Sequence, residues 1–380
     1  MIKPLFVSLF AISIAVSGCM MSKSASDKDK QKEAGDDRLV YPIPPEEPRF
    51  YYEKTIKSSA DVLPDSDEDK LRRSLTGERL QGEGFAKPYG IAVHRGRIFV
   101  GDTVRRMVMA LDIPEQKFIK IGQYEEEGEG RLSKPMGIEV DDSGNLYVLD
   151  ATYKQIIVYN RDGQFLRNIG KATDFYRPAG IGVSGDGSRI YAVDIGGSSS
   201  DNHRIIAYDG NTGERLPDIG KRGIELGEFN LPRDVVVAPD GSLFVVDGGN
   251  FRVQHIAADG KPINSFGSIG RQQGQFSRPK EIGVDSESNV YVVDAAFGNF
   301  QIFNSEGQLL LYVGERSNID GPGKFSLPSG IAVDDDGRVY MVDQFFRKID
   351  VFRPADLPEN EGFVKNAVGK ESGDQAGQAN

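Results

Sequence analysis

The chain has 380 residues, 38% of them hydrophobic, with a net charge of −11 and a pI near 5.0. An acidic surface repels phosphate backbones, so the balance argues against nucleic acid as a general partner. With no tryptophan and one cysteine, Cys19, the chain can form no internal disulfide and no thiolate zinc site.

Residues 1–19 read as an export address. A basic start, Met1-Ile2-Lys3, leads into an apolar run from Pro4 to Val16. A helix of that length spans about 20 Å, short of the ~30 Å hydrocarbon layer, so a signal peptide is expected and not a permanent span. Its end, Val16-Ser17-Gly18-Cys19, resembles the lipobox of bacterial lipoproteins. That resemblance implies a covalent lipid on Cys19 and a membrane as partner, since several acyl chains hold far better than one. Met20 replaces the aspartate of inner-membrane retention, which implies the outer membrane where the organism has one. The alternative is an ordinary signal peptide that ends near a cysteine. Residues 20–48 are polar and then proline-rich, with the pattern of a flexible tether that stiffens towards its end.

Residues 49–56, RFYYEKTI, are β-rich yet belong to no repeat. Residues 64–73 predict a short surface helix with acids in its first turn. Six copies of one unit follow, opening with KPYGIAV, KPMGIEV, RPAGIGV, LPRDVVV, RPKEIGV and LPSGIAV. Their prolines, Pro88, Pro135, Pro178, Pro232, Pro279 and Pro328, are spaced by 47, 43, 54, 47 and 49 residues. A second apolar strand in each copy ends in an aspartate: Asp102, Asp150, Asp194, Asp247, Asp294 and Asp343. Each copy predicts a four-stranded meander whose apolar strands are covered on both faces. A period in the forties is the signature of a propeller. The last copy lacks a fourth strand, so residues 49–56 are expected to complete it and close the ring. The expectation is an all-β, six-bladed propeller over residues 49–354, with a polar, disordered tail at 355–380.

The connectors GIELGEFNLP, GRQQGQFSRP and GPGKFSLP, each followed by a Gly-Ile-Ala-Val-like strand, a turn and a Tyr-Val-Asp-like strand, resemble the NHL repeat. The likeness runs through residues 85–352 and extends to six-bladed propeller lipoproteins of bacteria. It weakens after the aspartate. Asn202-His-Arg204 and Asn250-Phe-Arg252 keep the family's Asn-x-Arg, whereas Met107, Gln155, Gln301 and Lys348 are aligned with the arginine elsewhere. In the family that arginine ties loop to strand.

Function in a propeller is expected on the face where second-to-third-strand loops and inter-blade connectors meet the axial channel. Candidate partner contacts on those loops are Arg105, Arg106, Tyr153, Lys154, Phe251, Phe297, Phe345 and Phe346, with Tyr153 and Phe345 the better placed for exposure. The competing expectation packs the aromatics between blades. The channel mouth is expected to be lined by Tyr89, Met136, Ala179, Arg233, Lys280 and Ser329, with Asp234 and Glu281 replacing the first-strand glycine in blades 4 and 5. Two carboxylates near the axis can hold a cation such as calcium, or can pair with Arg233, Lys280 or backbone amides. His94, His203 and His255 occupy unequal places in their repeats and do not form one metal site. Asp334-Asp-Asp-Gly337 has the acids of a calcium loop without its closing glutamate, at an ordinary hairpin position. No catalytic residue is assigned. The function expected is a membrane-anchored, non-catalytic scaffold that binds a protein or another extracellular ligand through one face. The alternative is a metal-dependent propeller enzyme, lactonase- or lyase-like, with an axial cation.

Overall fold

In the computed structural model the described residues are 39–64, 67–77, 82–123, 128–197, 199–359 and 361–364. The signal peptide, Cys19 and residues 20–38 of the expected tether lie outside them.

Blade 2 shows the local logic. Its strands Pro135–Val140, Leu146–Asp150, Gln155–Tyr159 and Phe165–Ile169 pair in chain order as an antiparallel sheet. Side chains alternate across the sheet. Leu146 and Val148 therefore pack with blade 1, while Tyr147 and Leu149 pack with blade 3. The same holds round the ring: each of six buried clusters joins two consecutive blades, the last joining blade 6 back to blade 1. The core of this fold lies between blades, which is why the second strands are apolar throughout.

The ring closes where the strand arithmetic requires. Strand β2, Phe50–Ile56, lies antiparallel against Lys348–Pro354 of blade 6, with Phe50 opposite Pro354 and Ile56 opposite Ile349. Buried polar groups fasten it: Glu53 meets the fully buried Arg338 at 2.8 Å, and Thr55 donates to Asp350 at 2.6 Å. Asp350 also takes Lys348 at 2.7 Å and the Gly323 amide at 3.0 Å.

Four details depart from expectation. Val40–Tyr41, within the expected tether, forms strand β1 on the outer side of β2, because the Tyr41 ring packs edge-on against Phe352 at 5.8 Å. Blade 3 has three regular strands; its fourth is reduced to two bridges, Ile205 to Ile219 and Tyr208 to Arg215, on either side of Pro217, which has no N–H to give the ladder. Helix α1 spans Asp67–Thr76 against the expected 64–73, and a 3-10 turn at Ser59–Asp61 precedes it. The expected disordered tail starts too early at 355: Ala355 bonds Arg49, Arg338 bonds the Glu361 carbonyl at 2.8 Å, and the Phe363 amide bonds Asp336 at 2.6 Å. Residues 365–380 lie outside the described residues.

Candidate functional site: the axial mouth and connector face

The six strand-ending aspartates build one face. Asp150 is fully buried and accepts the amides of Ser133 and Lys134 from the incoming connector at 2.7 Å each. It also accepts Thr152 and Tyr153 from its own loop at 2.8 and 2.9 Å. Asp102, Asp294 and Asp343 repeat all four bonds. A carboxylate bonded to four amides repays its own burial and pins connector and loop to the same side of the blade. These aspartates are structural, although their regular spacing is the most visible acid pattern in the sequence.

The arginine of the repeat acts similarly. Arg252 meets Asp247 at 2.9 Å and donates to the carbonyls of Glu225 and Glu228, and Arg204 reaches Asp194 and Asp218. One expected alignment shifts: Asn299, not Gln301, lies opposite Asp294 as Arg252 lies opposite Asp247. Gln301 is the counterpart of Gln254, and both hold the connector beside them through backbone bonds.

Around the axis the first strands come unusually close. A Cβ on Gly90 would lie 2.5 Å from the Met136 carbonyl, and one on Gly330 would lie 2.5 Å from that of Tyr89, so only glycine fits there. In blades 4 to 6 side chains also bond across to the neighbouring first strand. Asp234 accepts the Ile282 amide at 3.1 Å, Lys280 donates to the Pro328 carbonyl at 2.9 Å, and Ser329 donates to that of Tyr89 at 2.9 Å. Asp234 and Glu281 therefore sit together at the bore as expected, with Tyr89 and Arg233, around a cavity of about 20 Å³. That is room for about one water molecule.

The donor set fits a cation poorly. Asp234 already serves a backbone amide, and among the described residues no three His, Cys, Asp or Glu side chains gather as ligands. Burial, and then the nearby Asp234 charge, push Glu281 well above the carboxylate range; burial raises Asp234 too. A third acid, Glu139, was not singled out in the sequence. Burial in the narrow bore, followed by the Asp234 charge, lifts it to about 8. Its signal was present: Glu139 is the one charged residue at a register otherwise filled by Ala92, Gly182, Val236, Gly283 and Ala332.

The expected contact loops divide. Arg105 turns inward to Glu83 and the Gly84 carbonyl, and Lys154 reaches the Phe175 carbonyl. Tyr153 and Phe251 are half-buried against the blade cores, and Phe297 and Phe346 are also half-buried. Tyr153 is thus a packing residue more than a surface one. Phe251 has φ +56°, which places it with Arg106 and Lys154 at the left-handed turn position and not with the other aromatics. Phe345 is 64% exposed and stacks edge-on with Phe346. On the same face Val104, Tyr176, Ile224, Ile269 and Ile319 are exposed on loops and connectors.

The three histidines are separate, as their unequal spacing implied: His94 faces the Asp142 carbonyl, His203 the Gly197 carbonyl and His255 the Ser242 hydroxyl. The Asp334 turn is a hairpin, its buried carboxylate capping Asp336, Arg338 and the Tyr340 hydroxyl. At the hairpin end of the bore lies a wider funnel of about 910 Å³, with valines such as Val93, Val183 and Val284 inside and Asp142, Asp240 and Asp335 among its rim residues.

The closed ring of six sheets makes this a six-bladed β-propeller, and the NHL repeat model matches it over residues 229–256, the connector and first three strands of blade 4. A protein of unknown function from Bacteroides thetaiotaomicron is similar at 17% identity, covering 80% of this chain and 76% of that one, with a TM-score of 0.58. A streptogramin B lyase is similar at 14% identity, covering 71% and 94%, with a TM-score of 0.52. A gluconolactonase from Xanthomonas campestris is similar at 18% identity, covering 71% and 86%, also at 0.52. At these identities the likenesses show the fold alone.

Proposed function

We propose that this protein is an exported, lipid-anchored, non-catalytic binding propeller that engages a protein partner or another extracellular ligand through its connector face. The observation that carries the reading is the character of that face. Exposed Val104, Tyr176 and Phe345 have their backbone amides held by the buried Asp102, Asp194 and Asp343, and Ile224, Ile269 and Ile319 stand exposed on the connectors of the same face. Pinned apolar groups bury area at little entropic cost on binding. In the bore, Asp234 is already engaged with the Ile282 amide of the next blade, a joining role that suits a binding scaffold.

The anchor rests on the lipobox-like sequence around Cys19, which implies the outer membrane where the cell has one. Cys19→Ser should move the protein from the membrane fraction to the soluble exported fraction with its unfolding midpoint unchanged. A variant that stays with the membrane would contradict the anchor.

A further inference from the structure

The sequence left the two carboxylates at the channel mouth either to hold a cation or to pair with Arg233, Lys280 or backbone amides; the structure adds further basic side chains beside them. Arg177 and Arg278 precede the first-strand prolines of blades 3 and 5, and Arg233 follows that of blade 4 between them. All three are exposed, and Arg233 lines the mouth of the bore. Their guanidiniums have no carboxylate or hydrogen-bond partner among the described residues. Partial desolvation at the bore mouth lowers the Arg233 pKa, although much of its side chain reaches solvent, and the charges of Arg177 and Arg278 lower it further. Lys280, one blade on at the Arg233 register, is half-buried, and Lys87 and Lys134 repeat the pre-proline base in blades 1 and 2. Asp234 and Glu281 lie in the bore, and burial shifts both towards their neutral forms, which reduces the negative charge they set against the arginines.

Other arginines on this side of the blades find an acid or a carbonyl, as Arg204, Arg215 and Arg252 do. The first strands of blades 3, 4 and 5 are in contact, so Arg233 at the bore mouth is flanked by the strand starts that carry Arg177 and Arg278; three unpaired forks so placed cost repulsion and return no contact within the fold. We propose that the mouth at blades 3–5 is an oxyanion-binding site, in which Arg177, Arg233 and Arg278 receive a phosphate, sulfate or carboxylate group of a ligand. The ligand sits over the bore, since about 20 Å³ admits no more than a water-sized group. Planar forks suit such groups because each can give two parallel N–H bonds. This inference rests on the connector face being the working face and names the chemistry of its central contact.

The test is calorimetric titration of the full-length protein with pyrophosphate and, separately, citrate at low ionic strength. Binding is expected to weaken at least tenfold in Arg233→Ala, to recover in part in Arg233→Lys, and to fall with added salt. Arg189→Ala, on the hairpin face, should bind as the native chain does. A parallel arm measures co-sedimentation with phosphatidylglycerol vesicles against phosphatidylcholine vesicles. Arg233-dependent binding to the anionic vesicles alone would keep the site and identify its source as a lipid headgroup. No binding in either arm, or binding indifferent to Arg233, would overturn the site. Partner contacts at Phe345 that persist in that case would leave the face reading intact.

Discussion

Glu139 shows how one residue in the bore couples to the stability of the ring. Its folded pKa is raised to about 8, above the ordinary value of 4.5, by burial first and by Asp234 second. Between those values the folded state keeps a proton that the unfolded state releases, so stability falls as pH rises through the window. The full shift corresponds to about 5 kcal/mol, but Glu139 is only half-buried by area, and screening leaves about 1–2 kcal/mol. Glu139→Gln should therefore raise the urea midpoint at pH 8.5 and change it little at pH 5. Equal midpoints for both chains at pH 8.5 would show that the carboxyl titrates normally. Some slope should remain in the variant, because Asp234 and Glu281 shift in the same direction. At this scale the sequence shows Asp234 and Glu281 as replacements of the first-strand glycine, which places them on the bore lining but leaves their role open. The deciding fact is that Asp234 bonds the Ile282 amide of the next blade, a partner 48 residues away that only the closed ring brings near.

Among elements, β2 carries the most consequence for its length. It supplies the strand that blade 6 lacks, and its Glu53 is the principal partner of the fully buried Arg338. Removing one partner of a buried pair leaves an uncompensated charge, at a cost of roughly 3–5 kcal/mol. Arg338 keeps Asp336 and the Glu361 carbonyl, so Glu53→Ala should cost about 2–3 kcal/mol, below that range. Hydrogen exchange should accelerate first in Phe50–Ile56 and Lys348–Pro354. An unchanged urea midpoint would mean that the closure does not depend on this pair. The closing strand was legible because five copies contain a fourth-strand segment and the last does not, so counting alone exposes the gap. Strand β1 was not legible. Val40-Tyr41 is too short to show a period, and it is ordered by Phe352 and β2, which its own neighbours do not reveal. The weak fourth strand of blade 3 has one mark in the sequence, Pro217, which gives no N–H to a ladder.

For the whole molecule, net charge gives a misleading summary. The −11 of the chain suggests a uniformly acidic surface, yet bases gather at the connector-face mouth and acids stand on the rim of the opposite funnel. Sequence order alone does not show this separation. Pre-proline bases and hairpin aspartates alternate along the chain, and only the meander sends them to opposite ends of each blade. Phe345, Ile269 and Ile319 are exposed on the connector face, while Leu166, Ile263 and Tyr312 are exposed on outer strands. The most direct test of that face as the working surface is photo-crosslinking in the producing cell. A photo-reactive residue would be placed in turn at Phe345 and Ile269, and at Asp240 and Ser286 on the hairpin face. Discrete crosslinked species from the first pair and none from the second are expected. Crosslinks confined to Asp240 and Ser286 would assign function to the acidic funnel and contradict the connector-face reading.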